Sequence, residues 1–358
     1  MDSKKTGGQI PKQHHYVYRK HLAPWTATQK TDGQIYCFKT DNGNIFSSNL
    51  TGVAQERYFY EYKKLTDLEK FFAYFISRVN DFEGKGNDLF IASIGPLCAV
   101  SKIEEIENHI DTSSRQNSEA NVFYDIRRCL GEKAQGFYED YGIDYLLQLL
   151  DDDISFFECE NDRIRFSCYL LVQYSRTKKL RLKFKNSNKF SSEQLKILIE
   201  RHGHELSLVN ILFDREKAIS ELNTINSSLD LEKIHPYVLE GITFSVVNSL
   251  LARRKPTLQF INAPCGCEFL TGDQPVVNFG GDTNDPAFFC PISPNKAIVL
   301  SFDNIERSNL ANETEMFAYN KAMIENSGLY IFSTHKECLE QNLSRHSAYV
   351  ENSQQKDT

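Results

Sequence analysis

Several polar side chains spread along the chain carry groups that could act together on a phosphate ester. A histidine titrates near neutral pH and can move a proton, whereas a carboxylate can orient that histidine or bind a metal ion. An arginine guanidinium can pair with a phosphate through two hydrogen bonds and stabilise the charge that develops on it. If these groups converge, they suit phosphodiester cleavage. The predicted catalytic residues are His15, Glu56 and Asp273, and the predicted substrate-binding residues are Arg57, Tyr60, Gln173 and Arg176.

The same side chains also have structural interpretations, which the sequence leaves open. Asp273 precedes a Gln-Pro pair and could cap a turn before a strand. Glu56 and Arg57 could belong to a buried ion pair with Arg176. His15 could hydrogen-bond the backbone and hold the N-terminal arm.

Short motifs typical of metal or nucleotide sites are incomplete. Gly280-Gly281 lacks the Walker lysine and the glycine spacing of a dinucleotide fold. Cys265-Gly266-Cys267 has no second pair of the kind that zinc sites usually need, and His202-Gly203-His204 suits a helix end. The basic runs Arg176–Lys183 and Arg253–Lys255 could contact phosphates or simply be solvated. The metal is therefore unknown, although a divalent ion is compatible with the predicted site.

The composition is that of a globular protein with a mildly acidic balance. Of 358 residues, 41% are hydrophobic and 25% are charged, and the net charge is -7. This balance argues against a protein that coats polyanions, although a local basic cleft for nucleic acid remains compatible with it.

Cysteine usage and hydropathy indicate the compartment. The nine cysteines are scattered and odd in number, which favours reduced thiols over a disulfide framework. The N-terminus lacks the apolar core of a signal peptide, and no apolar run reaches the roughly 18 residues of a membrane span. We therefore expect a cytoplasmic protein with no membrane partner, and its oligomeric state stays open.

These side chains must be positioned by the secondary structure around them. The sequence pattern predicts an α+β fold, with β-rich ends and a mostly helical middle. Gln34–Thr40 alternates, Asp41-Asn42-Gly43 supplies a turn and Asn44–Ser47 returns, as in a hairpin. We expect this hairpin to meet the C-terminal strands in one β-core, with the helices packed on one side. The predicted parts are a flexible arm at 1–13, the N-terminal β part of the core at 14–65, a helical region at 66–255, the C-terminal α+β part at 256–345 and a flexible tail at 346–358.

Helical spacing of apolar residues starts near Leu68, with Thr66 as a predicted N-cap and Glu69 three residues later. Ser191 or Ser192 is expected to cap a later helix. Further helices are predicted near 88–110, 117–131, 133–151, 162–177, 192–202, 206–227, 238–253 and 312–326. Strands are predicted at Leu258–Ala263, Cys267–Gly272, Ala287–Ile292, Lys296–Phe302 and Leu329–Ser333.

Four fragments, in this order, resemble the motifs of a known family. They are Gln13–Val17, Val53–Tyr60, Gln173–Thr177 and Phe269–Val276. With Pro291-Ile292-Ser293-Pro294 and Asn320, they resemble domain-of-unknown-function family four-two-three-eight over about residues 12 to 335. The sequence departs from the family's usual residues at Tyr18, Lys178, Gly272 and Gln274.

The resemblance implies a role without an established chemistry. Some members look like single-gene antiphage defence proteins of bacteria, and such cytoplasmic effectors are often nucleases. The favoured function is therefore a nuclease-like hydrolase that cleaves RNA or DNA through the His, carboxylate and Arg site. The other is a binding module that recognises a phage component or nucleotide and signals through a partner, so that the same cleft binds without cleaving. Sugar or ribosyl chemistry would also fit these residue types.

Overall fold

The computed structural model describes residues 13–57, 59–78, 87–109, 117–187, 191–202, 212–224, 229–239, 255–280, 286–302 and 309–356, with residues 243, 247 and 307. The chain forms two compact units that interleave along the sequence, where the sequence predicts consecutive parts. Unit 1 comprises Met1–His14, Glu56–Phe137 and Phe184–Ile242, and unit 2 comprises His15–Gln55, Tyr138–Lys183 and Thr243–Thr358. The chain passes between the units within the short strands β1 (Gln13–His15) and β4 (Gln55–Arg57).

The described part of unit 1 is mainly helical. Its helices are α2 (Asp67–Arg78), α3 (Asn87–His109), the first part of α4 (Asn117–Leu150), α7 (Ser192–His202), α8 (Arg215–Thr224) and α9 (231–239). Their apolar faces share a core that includes Phe71, Phe72 and Ile199. The predicted cap of α2 is confirmed, because Thr66 Oγ1 accepts from the Glu69 amide at 3.2 Å and the Glu69 carboxylate accepts from the Thr66 amide at 2.8 Å.

Helix α4 corrects one sequence expectation. Separate helices near 117–131 and 133–151 are wrong, because a single helix runs through Gly131. A Cβ at Gly131 would lie 1.8 Å from the Tyr60 carbonyl oxygen. Glycine at this position therefore permits a close backbone approach and does not end the helix.

Unit 2 contains the sheets. In its described residues, one four-stranded antiparallel sheet has the order β3-β2-β10-β6 and another has the order β5-β9-β8-β7. The strands are β2 (Gln34–Lys39), β3 (Asn44–Asn49), β5 (Thr257–Asn262), β6 (Thr271–Gly272), β7 (Val277–Asn278), β8 (Ala287–Ser293), β9 (Lys296–Ser301) and β10 (Tyr330–Ser333). Cys37 lies opposite Phe46 on one side and Phe332 on the other, so the N-terminal hairpin and the C-terminal strands share a sheet, as predicted.

The helices of unit 2 flank strands that come from distant parts of the sequence. They are α1 (Arg19–Leu22), the end of α4 from Tyr138, α5 (Glu160–Ser175), α6 (Lys178–Ser187) as far as Lys183, α10 (Glu313–Asn326) and α11 (Lys336–Lys356). Phe269, Phe289 and Val299 belong to a core of this unit. Residues 346–356, predicted as a flexible tail, continue α11 as helix.

The α+β prediction is confirmed by this arrangement of helices and sheets. The predicted arm at 1–12 and most of the predicted helix at 238–253 lie outside the described residues. Among the described helices, none combines the length and the apolar character that a membrane crossing needs.

Candidate functional site

The predicted site residues divide between the two units. Glu56, Arg57 and Tyr60 belong to unit 1, and His15, Gln173, Arg176 and Asp273 belong to unit 2. In unit 1, the Tyr60 amide donates to His14 Nδ1 at 3.0 Å, and the two rings stack with centroids 5.8 Å apart. Tyr60 is buried, Glu56 is half-buried and Arg57 is exposed. The role of these side chains in a site stays a prediction.

Asp273 is a buried carboxylate whose two oxygens both accept from the main chain. Oδ1 accepts from the Gly328 amide at 2.6 Å, and Oδ2 accepts from the Leu329 amide at 2.7 Å. Burial raises the pKa of Asp273, although these amides and the Lys179 ammonium act in the opposite direction. The carboxylate therefore fastens the loop between α10 and β10 to β6, as a turn-capping Asp would.

The third and fourth family-like motifs are joined next to Asp273. The Gln274 side-chain amide donates to the carbonyls of Tyr174 and Val276, each at 2.9 Å. Its oxygen accepts from the Thr177 hydroxyl. Gln274, which departs from the family's usual residue, thus ties the end of α5 to the segment after β6.

Arg176 lies at the centre of a second buried polar group, at the C-terminus of α5. Its side chain is 0% exposed, and Nη1 lies 2.6 Å from Glu139 Oε1. Nη2 donates to Gln173 Oε1 at 2.8 Å. The structure therefore brings the predicted Gln173 and Arg176 together, with Glu139 of α4 as a partner that sequence reasoning missed. No local pattern marks Glu139, because its partner lies on another helix.

His21 of α1 is close enough to Arg176 for the guanidinium charge to affect its protonation. Burial and the charge of Arg176 lower the pKa of His21 to about 4, so the imidazole is neutral at pH 7. Burial raises the pKa of Glu139, while the charges of Arg176 and Arg19 lower it. An imidazole and a carboxylate thus each lie near the Arg176 guanidinium, but they are not the ones that the sequence indicates.

Three side-chain atoms around Arg176 have no hydrogen-bond partner among the described residues. They are His21 Nε2, Tyr169 Oη and Gln173 Nε2. Their side chains are deeply buried, with Tyr169 and Gln173 each 1% exposed and His21 2% exposed. The Tyr169 ring packs against Gly142 of α4, where a Cβ would lie 2.1 Å from the ring. We refer to His21, Glu139, Tyr169, Gln173 and Arg176 as the arginine cluster.

A cavity of about 620 Å³ borders the arginine cluster, since His21 is one of its lining residues. Three elements form its apolar wall: the last turns of α4, the start of the 3-10 turn that follows α1, and strand β8. Its charged rim is formed by α1, by α4 and by the loop that precedes β2. The apolar residues are Ala23, Pro24, Ile143, Leu146, Leu147, Leu150 and Ile292. The polar residues include Lys20, Gln29, Lys30, Thr31, Asp32 and Asp144.

The rim loop before β2 is tightly constructed. Gln29 has a φ of 54°, a left-handed conformation that is uncommon for residues other than glycine. Thr26 Oγ1 accepts from the Lys30 amide at 3.0 Å. A Cβ at Gly33 would lie 2.5 Å from the side chains of Thr26 and Thr28, so the loop closes on glycine. Strained backbone that the surroundings hold in place is a frequent property of binding sites.

A second cavity of about 590 Å³ lies in unit 2, beside α10 and α11. Cys267, His335 and Cys338 are among its lining residues. Burial and the Glu268 carboxylate raise the pKa of Cys338 to about 12, so its thiol is protonated at neutral pH. In the described part of the chain, no group of three or more His, Cys, Asp or Glu side chains is placed to hold a metal ion.

These features define an α+β protein with a ligand-sized cavity beside a buried ionic cluster. The chain belongs to the family of proteins of unknown function DUF4238, whose model matches residues 144–337, more than half of its length. The match includes Gln173, Arg176 and Asp273 and excludes His15 and Glu56. Searches of curated proteins and of solved structures gave no match.

Proposed function

We propose that this chain is a binding module of antiphage defence, acting in the bacterial cytoplasm, which recognises a nucleotide-sized ligand in the cavity bordered by His21. The cavity carries the proposal. Its volume of about 620 Å³ falls within the range of about 300 to 1,000 Å³ typical of small-molecule sites. The trigger would be a nucleotide, or a phage component that presents one.

The lining chemistry favours a nucleotide because it has an apolar wall and a charged rim. Leu146 and Ile292, both buried, offer a surface on which a nucleobase can lie. Lys20 and Lys30 are exposed at the rim and can pair with phosphate oxygens. Asp32 or Asp144 can accept hydrogen bonds from ribose hydroxyls or base amino groups.

Isothermal titration of the full chain with adenosine, guanosine, cytidine and uridine phosphates tests this proposal. We expect at least one nucleotide to bind, and Leu147→Glu at the cavity mouth to weaken that binding at least tenfold, because it adds repulsive charge. Leu182→Glu is the matched control, since Leu182 is also an exposed leucine of a unit 2 helix and does not line the cavity. Absence of binding by every nucleotide, or equal losses in both variants, would reject the proposal.

Phosphodiester hydrolysis of RNA or DNA is the second candidate function. The observation that favours it is the neutral His21 imidazole near Arg176, which is itself paired with Glu139, because a neutral imidazole can accept a proton. Incubation with labelled RNA and DNA in Mg²⁺, Mn²⁺ or chelator tests it. A hydrolase should degrade one of them, with activity lost in His21→Ala.

The catalytic residues that the sequence predicts can be tested in the same assay. If His15, Glu56 and Asp273 act as the sequence indicates, His15→Ala, Glu56→Gln and Asp273→Asn should each abolish degradation while the fold persists. Full activity in all three variants would reject that site, and no degradation by the wild type under any condition would reject hydrolysis.

A further inference from the structure

We infer that the arginine cluster is itself a binding site, and that its ligand is an oxyanion group, a phosphate or a carboxylate. This inference deepens the proposed function, because His21 belongs to both the cluster and the cavity. It rests on the three buried polar atoms that have no hydrogen-bond partner among the described residues: His21 Nε2, Tyr169 Oη and Gln173 Nε2. A buried polar atom left without a partner is costly, and several at one place indicate a group that satisfies them.

The donor and acceptor properties of these atoms specify the ligand. A side-chain amide nitrogen such as Gln173 Nε2 can only donate, and a tyrosine hydroxyl can donate to any acceptor that it meets. The Gln173 oxygen already accepts from Arg176, which fixes the orientation of this amide and directs its nitrogen elsewhere. A ligand that meets Gln173 Nε2 must therefore present an acceptor, to which the Tyr169 hydroxyl and the Nε2–H tautomer of His21 can also donate.

The charges around the cluster favour an anion over a neutral acceptor. Arg176 supplies a permanent positive charge at 0% exposure, where water screens it little. Arg19 adds a second positive charge near Glu139. Glu139 is the opposing charge, because its carboxylate lies 2.6 Å from Arg176 and repels an incoming anion. Glu139 therefore sets the affinity, and its neutralisation should strengthen anion binding.

The test is thermal unfolding of the full chain in increasing inorganic phosphate, with acetate as the carboxylate arm and chloride at matched ionic strength as the reference. We expect phosphate or acetate to raise the melting temperature in a saturable manner that chloride does not reproduce. Phosphate acting alone would assign a phosphoryl group, and acetate acting alone would assign a carboxylate.

Variants that remove one donor each locate the site. Tyr169→Phe and Gln173→Met should each weaken anion binding about tenfold, since each removes one donor to a charged group. Gln173→Met also removes the oxygen that accepts from Arg176 Nη2. Glu139→Gln should strengthen it. Tyr349→Phe is the matched control, because Tyr349 is an exposed tyrosine of unit 2 and should bind like the wild type.

The outcomes separate this inference from the proposed function. If neither anion stabilises the chain beyond chloride, or if Tyr169→Phe and Gln173→Met respond like the wild type, the cluster is an ordinary structural feature and the inference fails, even where nucleotides still bind in the cavity. Saturable stabilisation that the two variants lose supports the inference, even where Leu147→Glu leaves nucleotide binding unchanged.

Discussion

Asp273 and Arg176 are two buried charges of unit 2 that are stabilised in different ways. Asp273 receives main-chain amides on both carboxylate oxygens, from residues that β10 and its preceding loop hold in place. Arg176 depends on the side chains of Glu139 and Gln173, and further polar atoms beside it have no partner among the described residues. Both residues belong to family-like motifs, so the motifs alone do not separate a structural charge from a functional one.

The difference lies in how completely the hydrogen bonds around each charge are satisfied. Each oxygen of the Asp273 carboxylate accepts from a main-chain amide of the same loop, which favours the turn-capping interpretation of Asp273. A guanidinium among unsatisfied donors has neighbours that can bind a ligand. The comparison directs attention to the arginine cluster as a candidate site and to Asp273 as a residue that fastens a loop to β6.

The largest expected effect comes from removing the charge at the centre of the arginine cluster. Arg176→Met should lower the free energy of unfolding by about 3 to 5 kcal/mol, because Glu139 would stay buried without its partner. Urea denaturation measures this loss, with Arg165→Met as a control whose side chain is 67% exposed. Glu139→Gln in the Arg176→Met background should restore part of the stability. A loss below about 1 kcal/mol would contradict the comparison.

Removing the other buried charge should have a somewhat smaller effect. Asp273→Ala leaves the Gly328 and Leu329 amides without their acceptor, which should cost about 3 kcal/mol. Asp273→Asn keeps one acceptor oxygen and should cost about half of that. Denaturation curves for both, beside the exposed Asp41→Asn, check the ranking. If Asp273→Ala and Asp273→Asn lowered the free energy of unfolding equally, the two amides would not be what stabilises this carboxylate.

The stability of the arginine cluster should depend on pH through His21. Its folded pKa of about 4 lies below the ordinary value of 6.5, so the unfolded chain takes up the proton first. The contribution of the neutral His21 to the free energy of unfolding is complete above pH 6.5. It is lost as the pH falls towards 4, and this loss is about 3 kcal/mol at most. Melting temperatures between pH 7 and 4 should fall less in His21→Gln than in the wild type. The exposed His335→Gln should follow the wild type.

Two glycines of α4 test how closely the cluster is packed. Gly142→Ala should destabilise the chain by about 2 kcal/mol, because the new Cβ would lie 2.1 Å from the Tyr169 ring. Gly136→Ala, on the same helix, meets nothing within 4 Å and should stabilise it by up to about 1 kcal/mol. Thermal unfolding of both variants measures the difference, and stabilisation by Gly142→Ala would show that the cluster is loosely packed.

The smallest effect should come from Lys296, which resembles Asp273 in its main-chain partners. Its ammonium donates to the Leu150 carbonyl at 2.7 Å, at the end of α4, and lies 2.9 Å from the Asp152 carboxylate. Lys296→Met should therefore cost about 1 kcal/mol. The control is Lys336→Met, which removes a lysine that is 49% exposed. In urea denaturation, this variant should change the free energy of unfolding by less than about half of the change for Lys296→Met.

The sequence predicts those features that depend on local patterns. The Thr66 cap and the hairpin turn follow from short-range chemistry, and Gly43 has the positive φ of 72° that its turn requires. Gln173 and Arg176 are three residues apart, in the last turn of α5 and at its C-cap, so their contact is also a local property. The pairing of β2 with β10 follows from expecting the apolar strands of both ends to share one core.

The remaining features depend on contacts between elements that are distant in sequence. Glu139 meets Arg176 only because α4 packs near the end of α5, and His21 comes near Arg176 only through the fold. Tyr169 Oη and Gln173 Nε2 have no hydrogen-bond partner among the described residues. No sequence pattern indicates this, because it depends on which side chains surround them in the fold. The combination of His15 with Glu56 and Asp273 stays a prediction.

The central position of β10 has a consequence for biosynthesis. This strand lies between β2 and β6, and its residues, 330–333, are synthesised after both of its neighbours. The first sheet of unit 2 therefore cannot be completed until β10 has emerged from the ribosome, whereas the core residues of unit 1 lie between Tyr62 and Val238 and emerge earlier. In a cell, β2 would consequently present an unpaired edge to chaperones until β10 emerges.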